Sequence, residues 1–102
     1  MSPVTRDIVT EILEWRGVTI EVGYEAAWLG RDMAAHLELH VRSPEGAHLP
    51  VTDTGYRSHF LSKGTVEEAG GPAAYVTAWL DEAATSKSWR AGELARRQLS
   101  LF

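Results

Sequence analysis

His36, Glu38 and His40 have the residue types of a metal site, because imidazole and carboxylate groups are common zinc ligands. A spacing of four residues would place both histidines on one face of a helix. The run from His36 to Arg42 alternates between polar and apolar residues, however, and this pattern indicates a strand. On a strand the two imidazoles would lie about 13 Å apart, too far to share one ion with bonds of about 2 Å. We therefore expect no metal, no cofactor, and two histidines on the solvent side of a sheet.

Asp53, Ser58 and His59 contain the residue types of a catalytic triad, which can occur in any chain order. Alternation along a strand sends Ser58 and His59 to opposite faces, so the hydrogen bond that would activate the serine is hard to form. The sequence also lacks a nucleophile elbow. We expect a protein that is not an enzyme.

Two runs in which apolar and polar residues alternate meet at Arg16-Gly17, and they predict the first elements of the fold. A two-residue turn there would pair Trp15 with Val18, and Leu13 with Ile20. This pairing gathers the apolar residues of both runs on one side, which favours a hairpin. The alternative is a helix through the first run.

Two more strands are predicted further along the chain. One covers residues 36–42 and ends at a turn, residues 43–46, that contains Pro and Gly. The other begins at about Leu49, and Pro50 with Gly55 makes it an edge strand or a bulged one. Its alternation sends Tyr56, Ser58 and Phe60 one way and Arg57, His59 and Leu61 the other.

Helical signals follow the strands. Thr65 to Glu68 has the pattern of a capping box, Gly70-Gly71 ends a first short turn, and Pro72 suits the first position of the main helix. The apolar stripe of that helix is Tyr75, Val76, Trp79, Leu80 and Ala83. The sequence thus predicts an α+β fold, in which two hairpins form an antiparallel sheet of about four strands under C-terminal helices.

We expect a weakly basic patch on the solvent face of this sheet. Its members are His36, His40, Arg42, Arg57 and His59. A solvated sheet face is the simpler interpretation, and a contact surface for a protein is the functional one. Single-stranded nucleic acid needs exposed rings for stacking, whereas the rings of the fourth strand are predicted to point inward.

Composition limits the kind of molecule. The 102 residues fit one domain, and the absence of cysteine excludes disulfides, thiolate nucleophiles and cysteine-based metal sites. No apolar run approaches the roughly 20 residues that cross a bilayer, and no signal-like segment is present. We therefore expect a cytoplasmic protein that does not enter a membrane.

Residues 98–102 read Gln-Leu-Ser-Leu-Phe, and this peptide resembles the bacterial sliding-clamp-binding motif. The resemblance implies that Leu101 and Phe102 enter an apolar pocket on the clamp while Gln98 binds in a neighbouring cleft, with Leu99 contributing. Residues 1–97 would then be a single α+β domain and 98–102 a docking peptide. The alternative is an amphipathic last helix that packs these residues on its own core.

Charge is unevenly distributed along the chain. The net charge is −4, with thirteen acids and six bases in residues 1–82, but one acid and four bases in 83–102. An acidic body does not hold a phosphate backbone unaided, so direct nucleic-acid binding by it is not expected. The basic segment could steer the tail toward an acidic partner or toward DNA threaded through a clamp.

Two body segments, residues 55–60 and residues 69–81, resemble parts of small uncharacterised proteins of bacterial plasmids and integrated mobile elements. The resemblance implies an accessory factor of mobile DNA. Our first hypothesis is a non-enzymatic adaptor that docks on the sliding clamp and would bind more tightly as a homodimer. The alternative is a small acidic inhibitor of a host defence complex, of the anti-CRISPR or anti-restriction type, acting by protein binding or nucleic-acid mimicry.

Overall fold

The computed structural model describes residues 8–27 and 34–99, and it confirms the predicted α+β class. The strands are β1 (Ile8–Trp15), β2 (Val18–Glu25), β3 (Ala35–Ser43) and β4 (Tyr56–Leu61), and the helices are α1 (Lys63–Ala69), α2 (Pro72–Ala83) and α3 (Lys87–Leu99). The four strands form one antiparallel sheet in the order β1-β2-β3-β4. None of these helices is both long and apolar enough to span a bilayer.

The β1–β2 hairpin has the predicted turn and register. Arg16 and Gly17 have φ angles of 48° and 82°, and a two-residue turn with positive φ at both positions matches the twist of the flanking strands. Trp15 lies opposite Val18 and Leu13 opposite Ile20, as predicted. The first run is therefore a strand and not a helix.

The helix-facing side of the sheet and the buried side of α2 form the core. The fully buried side chains alternate along β2 and β3 and recur every four residues along α2. They are Ile20, Val22, Leu37, Leu39, Val76 and Leu80, each 0% exposed. Burial of one such side chain stabilises the fold by about 1.5 to 3 kcal/mol. One face of the sheet is thus committed to contact with α2.

The prediction that the fourth extended run begins at about Leu49 is wrong, because β4 begins only at Tyr56. Leu49 is 2% exposed and packs into the core, and the Thr52 N–H donates to the Leu49 carbonyl at 3.3 Å in a turn. The chain rejoins the sheet where the Val41 N–H donates to the Gly55 carbonyl at 2.8 Å. The prediction that this strand lies at a sheet edge is confirmed.

The helix ends follow local signals, with one correction. Ser62, not Thr65, caps α1: its hydroxyl accepts a hydrogen bond from the Thr65 N–H at 3.4 Å. Because α1 begins at Lys63, the Thr65 N–H is one of the first backbone donors of the helix, and the Ser62 hydroxyl satisfies it. Gly70, with a φ of 101°, ends α1, and Pro72 is the first residue of α2, as predicted.

We expect Tyr24→Phe to raise the free energy of unfolding by about 1 kcal/mol, because the Tyr24 hydroxyl is buried without a hydrogen-bond partner among the described residues. Burial also raises the pKa of Tyr24, and the Glu67 carboxylate adds to this effect. Urea denaturation measures the change. Tyr75→Phe is the control, because the Tyr75 hydroxyl lies 3.3 Å from His59 Nε2 and its removal should not stabilise the fold. A destabilised Tyr24→Phe variant would contradict the assignment.

Candidate functional site

The sheet face opposite α2 carries aromatic side chains in facing pairs across β3 and β4. His36 lies opposite Phe60, and their rings stack with centroids 4.5 Å apart and an interplanar angle of 21°. His40 lies opposite Tyr56, with ring centroids 4.8 Å apart. Tyr56 is 43% exposed and Phe60 is 53% exposed, so both rings meet solvent. We call His36, His40, Tyr56, Ser58 and Phe60 the outer patch.

The predicted basic patch is only partly assembled on this face. The strand register keeps His36, His40 and Arg42 on the outer face but places Arg57 opposite Leu39 and His59 opposite Leu37, on the side that faces α2. The inward direction predicted for the rings of β4 is therefore wrong. The assumption that aromatic residues of an amphipathic strand face the core fails here because His36 and His40 supply stacking partners on the outer face.

Arg57 and His59 are accommodated on the core side because β4 is an edge strand and α2 covers them with aromatic rings. The Arg57 guanidinium lies 5.8 Å from the Trp79 ring centroid, within cation–π range. The His59 ring lies 4.5 Å from Trp79, and its Nε2 is 3.3 Å from the Tyr75 hydroxyl. Burial lowers the pKa of His59, and repulsion from Arg57 lowers it further. His59 is therefore a neutral packing residue at neutral pH.

Ser58 has a histidine partner that the sequence did not indicate. Ser58 Oγ and His36 Nε2 share a hydrogen bond of 2.6 Å, with the donor set by the imidazole tautomer, while His59 points to the other face. His36 Nδ1 lies 3.9 Å from Glu38 Oε1, which is too long for the hydrogen bond that would orient a catalytic base. His36 is only 7% exposed, so Ser58 satisfies a buried imidazole. Only the register of β3 against β4 brings these two residues together.

Carboxylates balance the positive groups of the outer face. Glu38 lies between the two histidines, 3.9 Å from His36 Nδ1 and 3.8 Å from His40 Nε2. Arg42 forms an ion pair with Glu21. The predicted weakly basic character of this face is thus not seen, and the outer patch offers exposed rings beside carboxylates. Such a surface suits contact with a protein more than contact with a phosphate backbone.

Helix α3 carries the first residues of the clamp-like motif. Gln98 is exposed, Leu99 is the last residue of α3, and residues 100–102 lie outside the described part of the chain. The predicted boundary between residues 97 and 98 therefore falls inside a helix. Leu94, on the apolar stripe of α3, is 53% exposed, and its neighbours Ala91 and Ala95 are also exposed. This part of α3 is not packed on the core as the alternative interpretation required.

Trp89 attaches the start of α3 to the body. Its ring lies 6.3 Å from that of Trp15, which is 5% exposed and donates from Nε1 to Asp81 Oδ1 at 2.9 Å. The Trp89 indole N–H, in contrast, is buried without a hydrogen-bond partner among the described residues. An unsatisfied donor of this kind costs about 1 to 3 kcal/mol, which offsets part of the stabilisation that packing of the Trp89 ring provides.

We expect stability to fall in acid because of His59. Its pKa lies below the ordinary value of 6.5. Between the two values the unfolded chain binds a proton that the folded chain does not, so the free energy of unfolding falls as the pH drops through this window. NMR titration of the His59 ring gives the pKa, and denaturation at about pH 7.5 and about pH 5 gives the stability change.

The matched variants are His59→Gln, which should lose this part of the pH dependence, and His48→Gln, which removes an exposed histidine and should retain it. A His59 pKa at or above 6.5 would refute the assignment of this ring as a neutral packing residue.

A family model, that of the KlcB third domain, matches residues 8–89. No curated protein and no solved structure matches the chain. The matched range contains β1 to β4, α1, α2 and the start of α3 up to Trp89. It fits the predicted context of a plasmid-associated accessory protein. Because the match covers well over half of the chain, the protein belongs to the KlcB third domain family.

Proposed function

We propose that this domain is a non-enzymatic adaptor that docks on a bacterial sliding clamp through Gln98, Leu99, Leu101 and Phe102. The observation that carries the proposal is the exposure of α3 where the motif begins. Gln98 is exposed, and Leu94, one turn earlier, keeps about half of its surface in solvent. The Gln98 side chain is therefore accessible to a partner.

Gln98 and Leu99 are helical in the free protein, and the last turn of α3 can unwind to let them dock. The last four carbonyls of a helix have no partner within the helix, so unwinding its final turn breaks few hydrogen bonds. The side chains of Leu101 and Phe102 would each contribute about 1.5 to 3 kcal/mol when buried in an apolar pocket. Ordering the segment offsets part of this gain, which leaves an expected dissociation constant of about micromolar strength.

The non-enzymatic part of the proposal is supported by the outer patch. Ser58 could serve as a nucleophile only with a histidine base that a carboxylate orients. Its partner is His36, but Glu38 Oε1 lies 3.9 Å from His36 Nδ1, too far to orient that ring. Ser58 also lies within β4, where its neighbours are paired with β3, so no turn presents its hydroxyl to a substrate. The exposed rings of Tyr56 and Phe60 suit contact with a second protein, which an adaptor would need besides the clamp.

The proposal is tested by measuring the affinity of the full chain for a purified bacterial sliding clamp with surface plasmon resonance. We expect binding at about micromolar strength, and at least about hundredfold weaker binding after Leu101→Ala with Phe102→Ala, because two buried side chains are lost.

Leu94→Ala is the matched control, since it removes an exposed leucine of the same helix outside the motif and should leave the affinity unchanged. Equal thermal melting of all variants shows that the domain remains folded. Binding weaker than about millimolar, or binding that survives the double substitution, would exclude clamp docking through this motif.

The alternative function, inhibition of a host defence complex by an acidic body, stays a prediction. Charge mimicry needs carboxylates that are gathered and accessible. Several acids of this body already have partners, since Glu21 pairs with Arg42, Glu67 lies 3.8 Å from Lys63, and Asp81 accepts the Trp15 indole hydrogen bond. These carboxylates are less available for charge mimicry.

A further inference from the structure

A groove lies where the tip of the β1–β2 hairpin meets α3. Its volume is about 370 Å³, within the range of small-ligand sites. The lining residues are Trp15, Arg16, Val18, His48, Trp89, Glu93, Arg96 and Arg97. We call it the hairpin groove. Three arginines and one glutamate line it, so the groove is positive although the chain as a whole has a net charge of −4.

Two of the guanidinium groups lie over tryptophan rings. The Arg16 guanidinium carbon lies 4.8 Å from the Trp15 ring centroid, and that of Arg96 lies 4.8 Å from the Trp89 ring centroid. The two rings are themselves in contact, with centroids 6.3 Å apart. A cation–π contact of this kind does not use the guanidinium N–H groups, which stay available to an acceptor. The groove thus presents two guanidinium groups from two different segments, the β1–β2 turn and α3.

The carboxylate in the groove does not occupy these donors. Glu93 Oε1 lies 3.9 Å from Arg16 Nη1, which is beyond hydrogen-bond distance. Within the described part of the chain, no acceptor forms a hydrogen bond with the guanidinium of Arg16 or Arg96. His48, which lines the same groove, adds a ring N–H donor.

We propose that the hairpin groove binds a phosphate group. A carboxylate has two oxygens, which one arginine fork can satisfy, whereas a phosphate has enough oxygens to accept from two forks on opposite sides. Arg16 of the hairpin and Arg96 of α3 both line the groove, so a bound phosphate would have a guanidinium group from each segment as a donor. The same chemistry is present in a free phosphorylated small molecule and in the backbone of a single-stranded nucleic acid.

Gly92 allows the position of one guanidinium to be changed without a change in charge. A Cβ at Gly92 would lie 3.1 Å from Arg96 Nη1, tighter than nine in ten such contacts, so the guanidinium would have to shift by a few tenths of an ångström. Gly92→Ala also favours the helix, because alanine has a higher helix propensity than glycine. Weaker phosphate binding by this variant would therefore result from the displaced Arg96 guanidinium and not from unfolding of the helix.

The experiment follows the indole N–H signals of Trp15 and Trp89 by NMR in the full chain, with inorganic phosphate, a deoxynucleoside 5′-monophosphate and a short single-stranded oligonucleotide as probes. We expect saturable shifts with a dissociation constant of about millimolar for a single phosphate. Saturation with the first two probes identifies a free phosphate as ligand, whereas saturation with the oligonucleotide alone identifies a nucleic-acid backbone. Either result supports the proposal.

Arg96→Gln should weaken binding about tenfold, the effect of one lost charge-assisted hydrogen bond, and Gly92→Ala about threefold. Arg90→Gln is the matched control, because it removes the same charge from α3 at an exposed position outside the groove, and it should change the affinity less than about twofold in physiological salt. Leu101→Ala with Phe102→Ala should have no effect, which separates this site from clamp docking.

Three outcomes would overturn the proposal. The first is the absence of any shift of the Trp89 signal at about 50 mM phosphate, far above a millimolar dissociation constant. The second is equal weakening by Arg96→Gln and Arg90→Gln, which would indicate diffuse attraction by charge. The third is equally tight binding of a glutamate peptide at the same signals, which would make the groove a carboxylate site.

Discussion

The contact between one face of the sheet and α2 determines which side chains the sheet carries on its other face. Because β2 and β3 give their aliphatic residues to this contact, their charged residues and histidines must occupy the other face. The pairing of β3 with β4 then decides which side chains of the edge strand join them. The outer patch is therefore a consequence of how the core is filled, and a shift of β4 by one residue would replace its rings with Arg57 and His59.

Elements with a short-range signal were predictable from the sequence. The turn at Arg16-Gly17 fixes the register of β1 on β2, and Gly70 and Pro72 mark helix ends by backbone preferences that act within a few residues. The prediction was wrong where the answer depends on distant residues. Neither Leu49 entering the core nor His36 meeting Ser58 and Phe60 can be inferred from spacing, since residues 44–55 form an irregular connection whose length does not fix the register of β4.

The candidate sites differ in how far the sequence defines them. The clamp-like peptide is a contiguous sequence motif, so the sequence alone reveals it. The hairpin groove joins Arg16, His48 and Arg96 from three distant segments, so only the fold reveals it. Both sites involve α3, whose attachment to the body depends largely on Trp89. The family match ends at this residue, so it covers the sheet, α1 and α2 but not the basic part of α3.

The strand order has a consequence for how the chain folds. Each strand lies beside its neighbour in sequence, so the sheet can grow one hairpin at a time, and no strand must wait for a partner from the far end of the chain. Most contacts in such a meander are local, and local topology lowers the entropy lost before native contacts form. The tight turn at Arg16-Gly17 brings β1 and β2 together over a short loop, which favours early formation of the β1–β2 hairpin.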